Sequence, residues 1–485
     1  MANSYIIRCK PQVVEDTHKF SCSSTLHYII RYQQGLSAYR QLKFYCRFPV
    51  KFIATFFRRD SVMAYLRFLN DIGKRYEGPS IRKLYDMEMN DMISLGEGKP
   101  NPATFPLLSG SLKMPGEEQL TLTPALLNFA LQYGKTEGYP PLVEKLKSLT
   151  LRLHNPPRWQ DTRLIVTSGN QNGLHAALSL MMNVGDYVII EEPTYCGTIS
   201  IFQQFLPKWL PVAVDNLGMR PDALRALLSR WRPEDVCHTT TAVPKILYTV
   251  PIGSNPSGTV VSEARRREIY AIASDYNIII LEDDPYYFLN YTDDEALPAS
   301  YLSMDTDGRV LRFDSFSKTI GGGLRVGYVT GPEPLVRKIL YHLHASIMHT
   351  SGLSQVVINE LLERWGEDEF ISRCSSYLQL FYRSKRDDMV AAANKYLKEL
   401  CEWSVPSGGM FLWLKVKGIT DADKLLHNEG RVRKVSALPG STFMTDENKP
   451  CPYMRLSFSF VSKEKMEVGI QRIALAIKDY HQNKQ

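Results

Sequence analysis

The stretch DSFSKTIGGGLRVGY, residues 314–328, places Lys318 and Arg325 on either side of a glycine-rich turn. Ser315 and Ser317 come just before the lysine. A lysine amine is a nucleophile towards carbonyl groups, and an arginine beside hydroxyl groups is a typical partner of an anion. The glycines let the backbone pass close to a bound molecule. Read alone, the stretch is ambiguous, and its meaning depends on the other residues that lie at strand ends.

Three other strand-like runs also end in polar residues. RLIVTSG leads into Asn170 at the start of a helix, where free backbone N–H groups suit a phosphate. TVPIGSNPSG ends at Asn255, and NIIILEDD reaches Asp283 three residues before Tyr286. A carboxylate at the tip of a buried strand is costly without a cationic partner. Taken one by one, these residues also fit ordinary helix caps and solvated turns.

The elements that carry these residues alternate between strand-like and helix-like segments. The strand-like runs are residues 163–169, 186–192, 245–251, 277–284 and 309–315. Helix-like segments such as 171–182 and the amphipathic stretch 262–276 lie between them. Short apolar strands alternating with helices predict a parallel sheet covered on both faces, with ligands at the carboxyl ends of its strands. Beyond about residue 370, a helix-like stretch and the strand-like runs FLWLKVKG and YMRLSFSF predict a smaller α+β unit.

The overall composition argues against several classes of protein. The chain has 485 residues and a mildly basic net charge of +7, and its hydrophobic fraction of 44% and charged fraction of 22% are ordinary for a globular protein. The positive charge forms no stripe through the body of the chain, so a nucleic-acid partner is not expected. The eight cysteines are scattered without a CxxC pair, which predicts reduced thiols in an intracellular protein and no metal site. No apolar run is long enough to span a bilayer, so no membrane partner is expected.

The N-terminal segment differs in composition from the rest. Residues 17–59 contain no Asp or Glu but many Lys, Arg, Tyr, Phe and Ser residues. A basic, acid-poor N-terminus is typical of a mitochondrial transit peptide, although Glu15 and Asp16 interrupt its start. The alternatives are an extension without a targeting role or a start codon assigned too early. A mitochondrial matrix location is slightly favoured over a cytoplasmic one.

The ordered series of site residues resembles the signature of fold-type I pyridoxal-phosphate enzymes, and of class I/II aminotransferases in particular. The segments that resemble the kynurenine/α-aminoadipate aminotransferase subgroup are MAYLRFLNDIGKRYEGPSIRKL (63–84), MISLGEGKPNPATFP (92–106), ALQYGKTEGYPPL (130–142), LRLHNPP (151–157), EEPTYCGT (191–198), LSRWRPED (228–235), EDDPYYFL (282–289), SMDTDGRVLRFDSFSK (303–318) and GGMFLWLKVKG (408–418). The resemblance begins at Met63 and runs to near the C-terminus.

This resemblance implies an α/β fold with a large domain, built on a mostly parallel mixed sheet flanked by helices, and a smaller α+β domain. The expected divisions are an extension at 1–62, an N-terminal arm and part of the small domain at 63–105, the large pyridoxal-phosphate domain at 106–370, and the C-terminal small domain at 371–485.

The resemblance also implies roles for single residues. Lys318 bonds to the cofactor and moves the proton, Asp283 pairs with its pyridine nitrogen, and Tyr195 stacks on its ring; these three are the expected catalytic residues. The other expected cofactor contacts are Asn170, Gln171, Asn255, Pro285, Tyr286, Ser315, Ser317, Arg325 and Tyr133.

The expected substrate contacts include one departure from the family. Arg455 is expected to clamp the substrate α-carboxylate with two parallel hydrogen bonds. The other expected contacts are Arg82, Gly98, Lys99, Tyr133 and Asn255, with Tyr133 reaching the other subunit's site in a homodimer. Lys99 stands where the family usually has an apolar residue. A cation there favours a substrate with a distal carboxylate over the ring of kynurenine, unless Glu97 pairs with it.

The expected activity is transfer of the amino group of 2-aminoadipate, kynurenine or a related L-amino acid to a 2-oxo acid such as 2-oxoglutarate. One alternative is an aminotransferase of broad aromatic and methionine specificity, and another is a lyase or synthase on the same fold. A bacterial-type regulator with a winged helix-turn-helix domain is a non-enzymatic alternative. Pro11, Pro49 and the aromatic clusters of residues 1–62 argue against it.

Overall fold

The computed structural model describes residues 64–78, 98–116, 118–233, 235, 242–292 and 297–483. Its strands are β1 (Gly110–Lys113), β2 (Gln119–Leu122), β3 (Thr162–Thr167), β4 (Tyr187–Glu192), β5 (Lys208–Asp215), β6 (Gly218–Met219), β7 (Ile246–Thr249), β8 (Ile279–Asp283), β9 (Val310–Ser315), β10 (Gly327–Pro332), β11 (Cys401–Trp403), β12 (Phe411–Val416), β13 (Leu438–Pro439) and β14 (Tyr453–Ser457).

The α-helices of the described residues connect and cover these strands. They are α1 (Asp71–Arg75), α2 (Pro124–Ala130), α3 (Pro140–His154), α4 (Asn170–Met181), α5 (Cys196–Gln203), α6 (Pro221–Leu228), α7 (Glu263–Asp275), α8 (Glu333–Ser346), α9 (Gly352–Ser372), α10 (Gln379–Tyr396), α11 (Ala422–Leu425) and α12 (Lys463–Gln482). None of the helices in the described ranges has the length and apolar composition needed to cross a membrane.

The central sheet has eight strands in the order β3-β10-β9-β8-β7-β4-β5-β6. The pairs from β9 through β8, β7 and β4 to β5 are parallel. β10 is antiparallel to both of its neighbours, β3 and β9, and β6 is antiparallel to β5. The prediction of a mostly parallel mixed sheet in an α/β fold is therefore confirmed. Strands β3, β4, β7, β8 and β9 all point the same way, so their carboxyl ends share one edge.

Both faces of the central sheet are buried, which is why its strands read as continuous apolar runs. On one face, Ile279 and Leu281 of β8 pack with Leu174 of α4. On the other face, Ile280 packs with Ile269 of α7. This alternation follows from the two-residue period of a strand.

A second sheet of four antiparallel strands, β11-β12-β14-β13, follows in the C-terminal part of the chain. Its strands β12 and β14 match the predicted runs FLWLKVKG and YMRLSFSF. The register places Trp413 of β12 opposite Arg455 of β14. The domain boundaries expected from the sequence stay a prediction.

Candidate active site

A cavity of about 360 Å³ opens at the edge where the parallel strands end. Its lining includes polar side chains from β8, from β9 and its following turn, from the start of α4, and from β14. The lining residues are Asn170, Gln171, Leu174, Tyr195, Val250, Asn255, Asp283, Pro285, Tyr286, Ser315, Ser317, Lys318, Gly322, Arg325, Phe411 and Arg455. This is the edge at which an α/β sheet is expected to bind its ligands.

The opening stretch of the sequence forms one end of the cavity. Lys318 lies in a single π-helical turn, Ser317–Gly321, directly after β9. Ser317 Oγ accepts hydrogen bonds from Ser315 Oγ at 2.9 Å and from Arg325 Nη1 at 3.4 Å. The antiparallel strand β10 starts just after Arg325 and sits between β9 and β3. This pairing brings the arginine back beside the lysine that precedes it in the chain.

Gly169 makes room for Arg325. The glycine has a φ of +80°, and a Cβ atom built on it would lie 2.5 Å from Nη2 of Arg325. The guanidinium also donates to the carbonyl of Ser168 at 3.4 Å. Any residue larger than glycine would therefore meet both backbone strain and a clash with the arginine.

Asp283 lies at the carboxyl end of β8 and is almost fully buried. Its Oδ1 accepts a hydrogen bond from Asn170 Nδ2, and its Oδ2 accepts one from Tyr248 Oη, both at 2.8 Å. Burial raises the pKa of Asp283 to about 6, and the two hydrogen bonds counteract part of that rise. Among the described residues no cationic side chain forms an ion pair with Asp283, so this buried carboxylate is well suited to face a cationic group of a ligand.

Arg455 is held in place by an amide and two aromatic rings. Its Nη1 donates to Asn255 Oδ1 at 2.7 Å. Its Cζ lies 4.1 Å from the ring centroid of Phe411 and 4.9 Å from that of Phe443. Within the described part of the chain, its buried Nε has no hydrogen-bond partner. The guanidinium thus keeps donors available for an anion in a fixed orientation.

The cavity carries more positive than negative side chains. Lys318, Arg325 and Arg455 line it together with the single carboxylate of Asp283. Burial lowers the pKa of Lys318, and the charges of Arg325 and Arg455 lower it further. A lowered pKa leaves more of the amine neutral and nucleophilic at neutral pH. The excess cations suit a ligand that brings a phosphate or carboxylates.

These features fit the expected pyridoxal phosphate. Ser315, Ser317, Arg325 and the start of α4 offer phosphate donors, and Gly169 provides the space that this arrangement needs. Asp283 offers a buried acid for the pyridine nitrogen, and Lys318 offers an amine for the aldehyde. The donor set therefore has a matching group for each reactive or charged part of that cofactor.

The cavity brings together all the residues that the sequence assigned to the cofactor except Tyr133. Tyr133 lies outside it and is about half exposed. Gly98 and Lys99 are exposed and also lie outside the lining. Arg82 and Glu97 lie outside the described residues. The roles assigned to these residues stay predictions.

The structure adds three findings that the motifs did not give. The side chain of Asn170 donates to Asp283 and to the carbonyl of Phe313, so only its backbone N–H is available to a phosphate. Tyr248 is the second partner of Asp283, and Phe443 flanks Arg455. The sequence of β7, ILYT, carries no local signal that separates Tyr248 from a tyrosine of the core.

Comparisons with known proteins show the family of the chain. The family model described as "Aminotransferase class I and II" matches residues 125–473. The chain is 41% identical over 426 residues to "Kynurenine/alpha-aminoadipate aminotransferase, mitochondrial" of Bos taurus, covering 86% of this chain and 100% of that protein.

Two solved structures share the fold. Aminotransferase Aro8 from Candida albicans has a TM-score of 0.74 and 26% identity, covering 85% of this chain and 97% of that one. The second is the Pyrococcus horikoshii kynurenine aminotransferase in complex with PMP, KYN as substrates and KYA as products. It has a TM-score of 0.66 and 29% identity, covering 85% of this chain and 98% of that one.

Proposed function

This chain belongs to the class I and II aminotransferases, and we propose that it moves the amino group of 2-aminoadipate, kynurenine or a related L-amino acid to a 2-oxo acid such as 2-oxoglutarate. It is a transaminase that depends on pyridoxal 5'-phosphate. The observation that carries the proposal is the shared cavity of Lys318, Asp283 and Arg455.

Different residues of the cavity are proposed to bind different parts of the cofactor. Ser315, Ser317 and Arg325 would hold the phosphate, and Asp283 would keep the pyridine nitrogen protonated. Asn255 and Tyr286 would contact the ring oxygen, and Tyr195 would pack against the ring. Bound pyridoxal phosphate supplies an electron sink for the carbanion that forms at the substrate α-carbon.

Lys318 acts as the base and then the acid of the proton transfer. Its lowered pKa leaves a neutral amine that can take the α-proton of the substrate. Arg455 binds the α-carboxylate through its unpartnered Nε and its second terminal nitrogen. Because Phe411 and Phe443 fix the plane of the guanidinium, the substrate is oriented before the proton moves.

Lys99 is proposed to select among amino donors. Its ammonium suits the distal carboxylate of 2-aminoadipate better than the aromatic ring of kynurenine. Lys99→Leu should then lower kcat/KM for 2-aminoadipate and raise it for kynurenine. An equal fall in kcat/KM for both donors would contradict a selective role of Lys99.

We also propose a homodimer in which Tyr133 contacts the partner's site. Mixing Lys318→Ala with Tyr133→Ala tests this proposal, since one of the two sites in the hybrid dimer would contain both intact side chains. Recovery of activity above that of either variant is expected. No recovery in a mixture shown to contain hybrid dimers would contradict it.

A mitochondrial location is proposed, supported by the acid-poor N-terminus and the mitochondrial relative. Residues 1–62 fused to a fluorescent reporter should direct it to mitochondria. The division into a large domain up to about residue 370 and a smaller domain after it is likewise a proposal, supported by the two separate sheets.

The half-reaction tests the proposed function. The purified protein is loaded with pyridoxal phosphate, and 2-aminoadipate or kynurenine is added without any oxo acid. Release of the matching oxo acid and formation of pyridoxamine phosphate are expected. Release of pyruvate and ammonia from a donor such as cysteine, with no pyridoxamine phosphate, would indicate a lyase instead. Conversion of other aromatic amino acids, with no conversion of 2-aminoadipate or kynurenine, would contradict the proposed substrate class.

A further inference from the structure

Asp283 is held by two donors from two different elements. Asn170 Nδ2 lies 2.8 Å from its Oδ1, and the same nitrogen donates to the carbonyl of Phe313 at 2.9 Å. Tyr248 Oη lies 2.8 Å from its Oδ2. The carboxylate thus has one donor on each oxygen, and its plane is fixed by groups that are themselves anchored.

Tyr248 is placed for this contact by the geometry of the sheet. It lies on β7, pairs in register with Leu281 of β8, and is fully buried. Because side chains alternate along a strand, Leu281 and Asp283 share a face, and the long tyrosine reaches diagonally to the carboxylate. Its ring packs edge-on against Phe202, with the centroids 6.3 Å apart.

The direction of the hydrogen bond from Tyr248 is set by Thr198. Thr198 Oγ1 donates to Tyr248 Oη at 3.0 Å within the same buried region. The tyrosine oxygen therefore accepts from the threonine, and its own proton points to Asp283. The result is a relay of hydroxyl donors that ends on the carboxylate.

We propose that Tyr248 is a positioning residue that keeps Asp283 ionised and aimed at the ring nitrogen of the bound cofactor. This inference rests on the proposed role of Asp283 as the partner of that nitrogen. Tyr248 lines none of the cavity itself, so it acts through Asp283.

The charges around Asp283 favour the protonated acid if a donor is lost. Burial already raises its pKa, and the nearby carboxylate of Asp314 raises it further, while Arg312 lowers it. The phenols of Tyr195 and Tyr286 also face this charge. Removing the Tyr248 hydroxyl takes away one of the two hydrogen bonds that stabilise the ionised form, so the pKa of Asp283 should rise.

The test compares Tyr248→Phe with Tyr301→Phe. Tyr301 is fully buried, and its hydroxyl has no hydrogen-bond partner within the described residues, so its replacement removes the same atom without the same bond. The dissociation constant of pyridoxal phosphate is measured by equilibrium dialysis over a pH series. Losing a hydrogen bond to a charged group should weaken binding by Tyr248→Phe about 10- to 100-fold near neutral pH.

The pH dependence separates a protonation effect from a packing effect. The dissociation constant of Tyr248→Phe is divided by that of wild type at each pH. This ratio should fall as the pH rises towards about 8.5, because Asp283 of the variant then becomes ionised. The ratio for Tyr301→Phe should stay near one throughout. Thr198→Val keeps the shape of the side chain. Its own ratio to wild type should exceed one near neutral pH and fall as the pH rises, by a smaller amount than for Tyr248→Phe.

Two results would overturn the inference. One is a Tyr248→Phe ratio equal to that of Tyr301→Phe at every pH. The other, if Tyr248→Phe does not fold, is a Thr198→Val ratio that equals one at every pH. The proposed function fails separately, if wild-type protein does not bind the cofactor or if Asp283→Asn binds it as tightly as wild type.

Discussion

Replacing Arg455 by glutamine should remove the preference of the enzyme for substrates that carry an α-carboxylate. Its Nη1 is already bonded to Asn255, which leaves Nε and Nη2 for the substrate. The expected complex therefore contains two charge-assisted hydrogen bonds that glutamine cannot reproduce.

The size of the effect follows from these two bonds. Each is worth about 1.5–3 kcal/mol, so their loss costs about 3–6 kcal/mol. At about 1.4 kcal/mol for each factor of ten, the expected loss is about 10²- to 10⁴-fold. Phe411 and Phe443 hold the guanidinium without help from a substrate, so little of this energy is spent on ordering the side chain.

The assay compares an L-amino acid with the amine that lacks only its α-carboxylate. The rate of pyridoxamine phosphate formation is measured for both, with wild type, Arg455→Gln and the control Arg433→Gln. Arg433 pairs with Asp479 in the C-terminal part of the chain, and neither residue lines the cavity. Wild type and the control should prefer the amino acid strongly, and Arg455→Gln should lose that preference. An unchanged preference in Arg455→Gln would refute the assignment of the carboxylate clamp.

Three further predictions concern the cofactor end of the site. Lys318→Ala should lower turnover by at least about 10²- to 10⁴-fold, measured with saturating cofactor, and near-normal turnover would contradict its role as the base. Burial raises the pKa of Asp283 from 3.8 to about 6, so its contribution to the stability of the cofactor-free protein is present below pH 3.8 and is lost as the pH rises through about 6. Near pH 7, Asp283→Asn should then need more urea to unfold than wild type, because its free energy of unfolding is higher by up to about 3 kcal/mol. This difference in stability should vanish in acid. Gly185→Ala should cost about 1 kcal/mol of stability because this glycine has a positive φ and open space around it. Gly169→Ala, which has a positive φ and also crowds Arg325, should cost more, and of the two variants only it should weaken cofactor binding in dialysis.

The sequence predicted the sheet and the residues at its edge because both depend on local patterns. Runs such as NIIILEDD are apolar along β8 and become polar at its carboxyl end, which carries Asp283. Lys318 and Arg325 stand out because a glycine-rich turn separates them. The ordered series of such residues therefore follows from local sequence patterns and needs no knowledge of tertiary contacts.

The partners of these residues depend on contacts between distant parts of the chain. Asn170 looked like a helix cap suited to a phosphate, but its side chain donates to Asp283, 113 residues away. Tyr248 lies in an apolar strand and has no local feature that separates it from core residues. Phe443 reaches Arg455 only because β13 and β14 pair beside it. Sheet register decides these contacts, and neither composition nor motif spacing predicts the register.

The covalent attachment of the cofactor tests the central claim most directly. The protein loaded with pyridoxal phosphate is reduced with borohydride and digested, and the peptide that carries the phosphopyridoxyl group is identified by mass spectrometry. The group should be found on Lys318 and should be absent from that peptide in Lys318→Ala. Stoichiometric labelling of another lysine, or no labelling of protein that remains folded, would contradict the assignment of this cavity as the aminotransferase site.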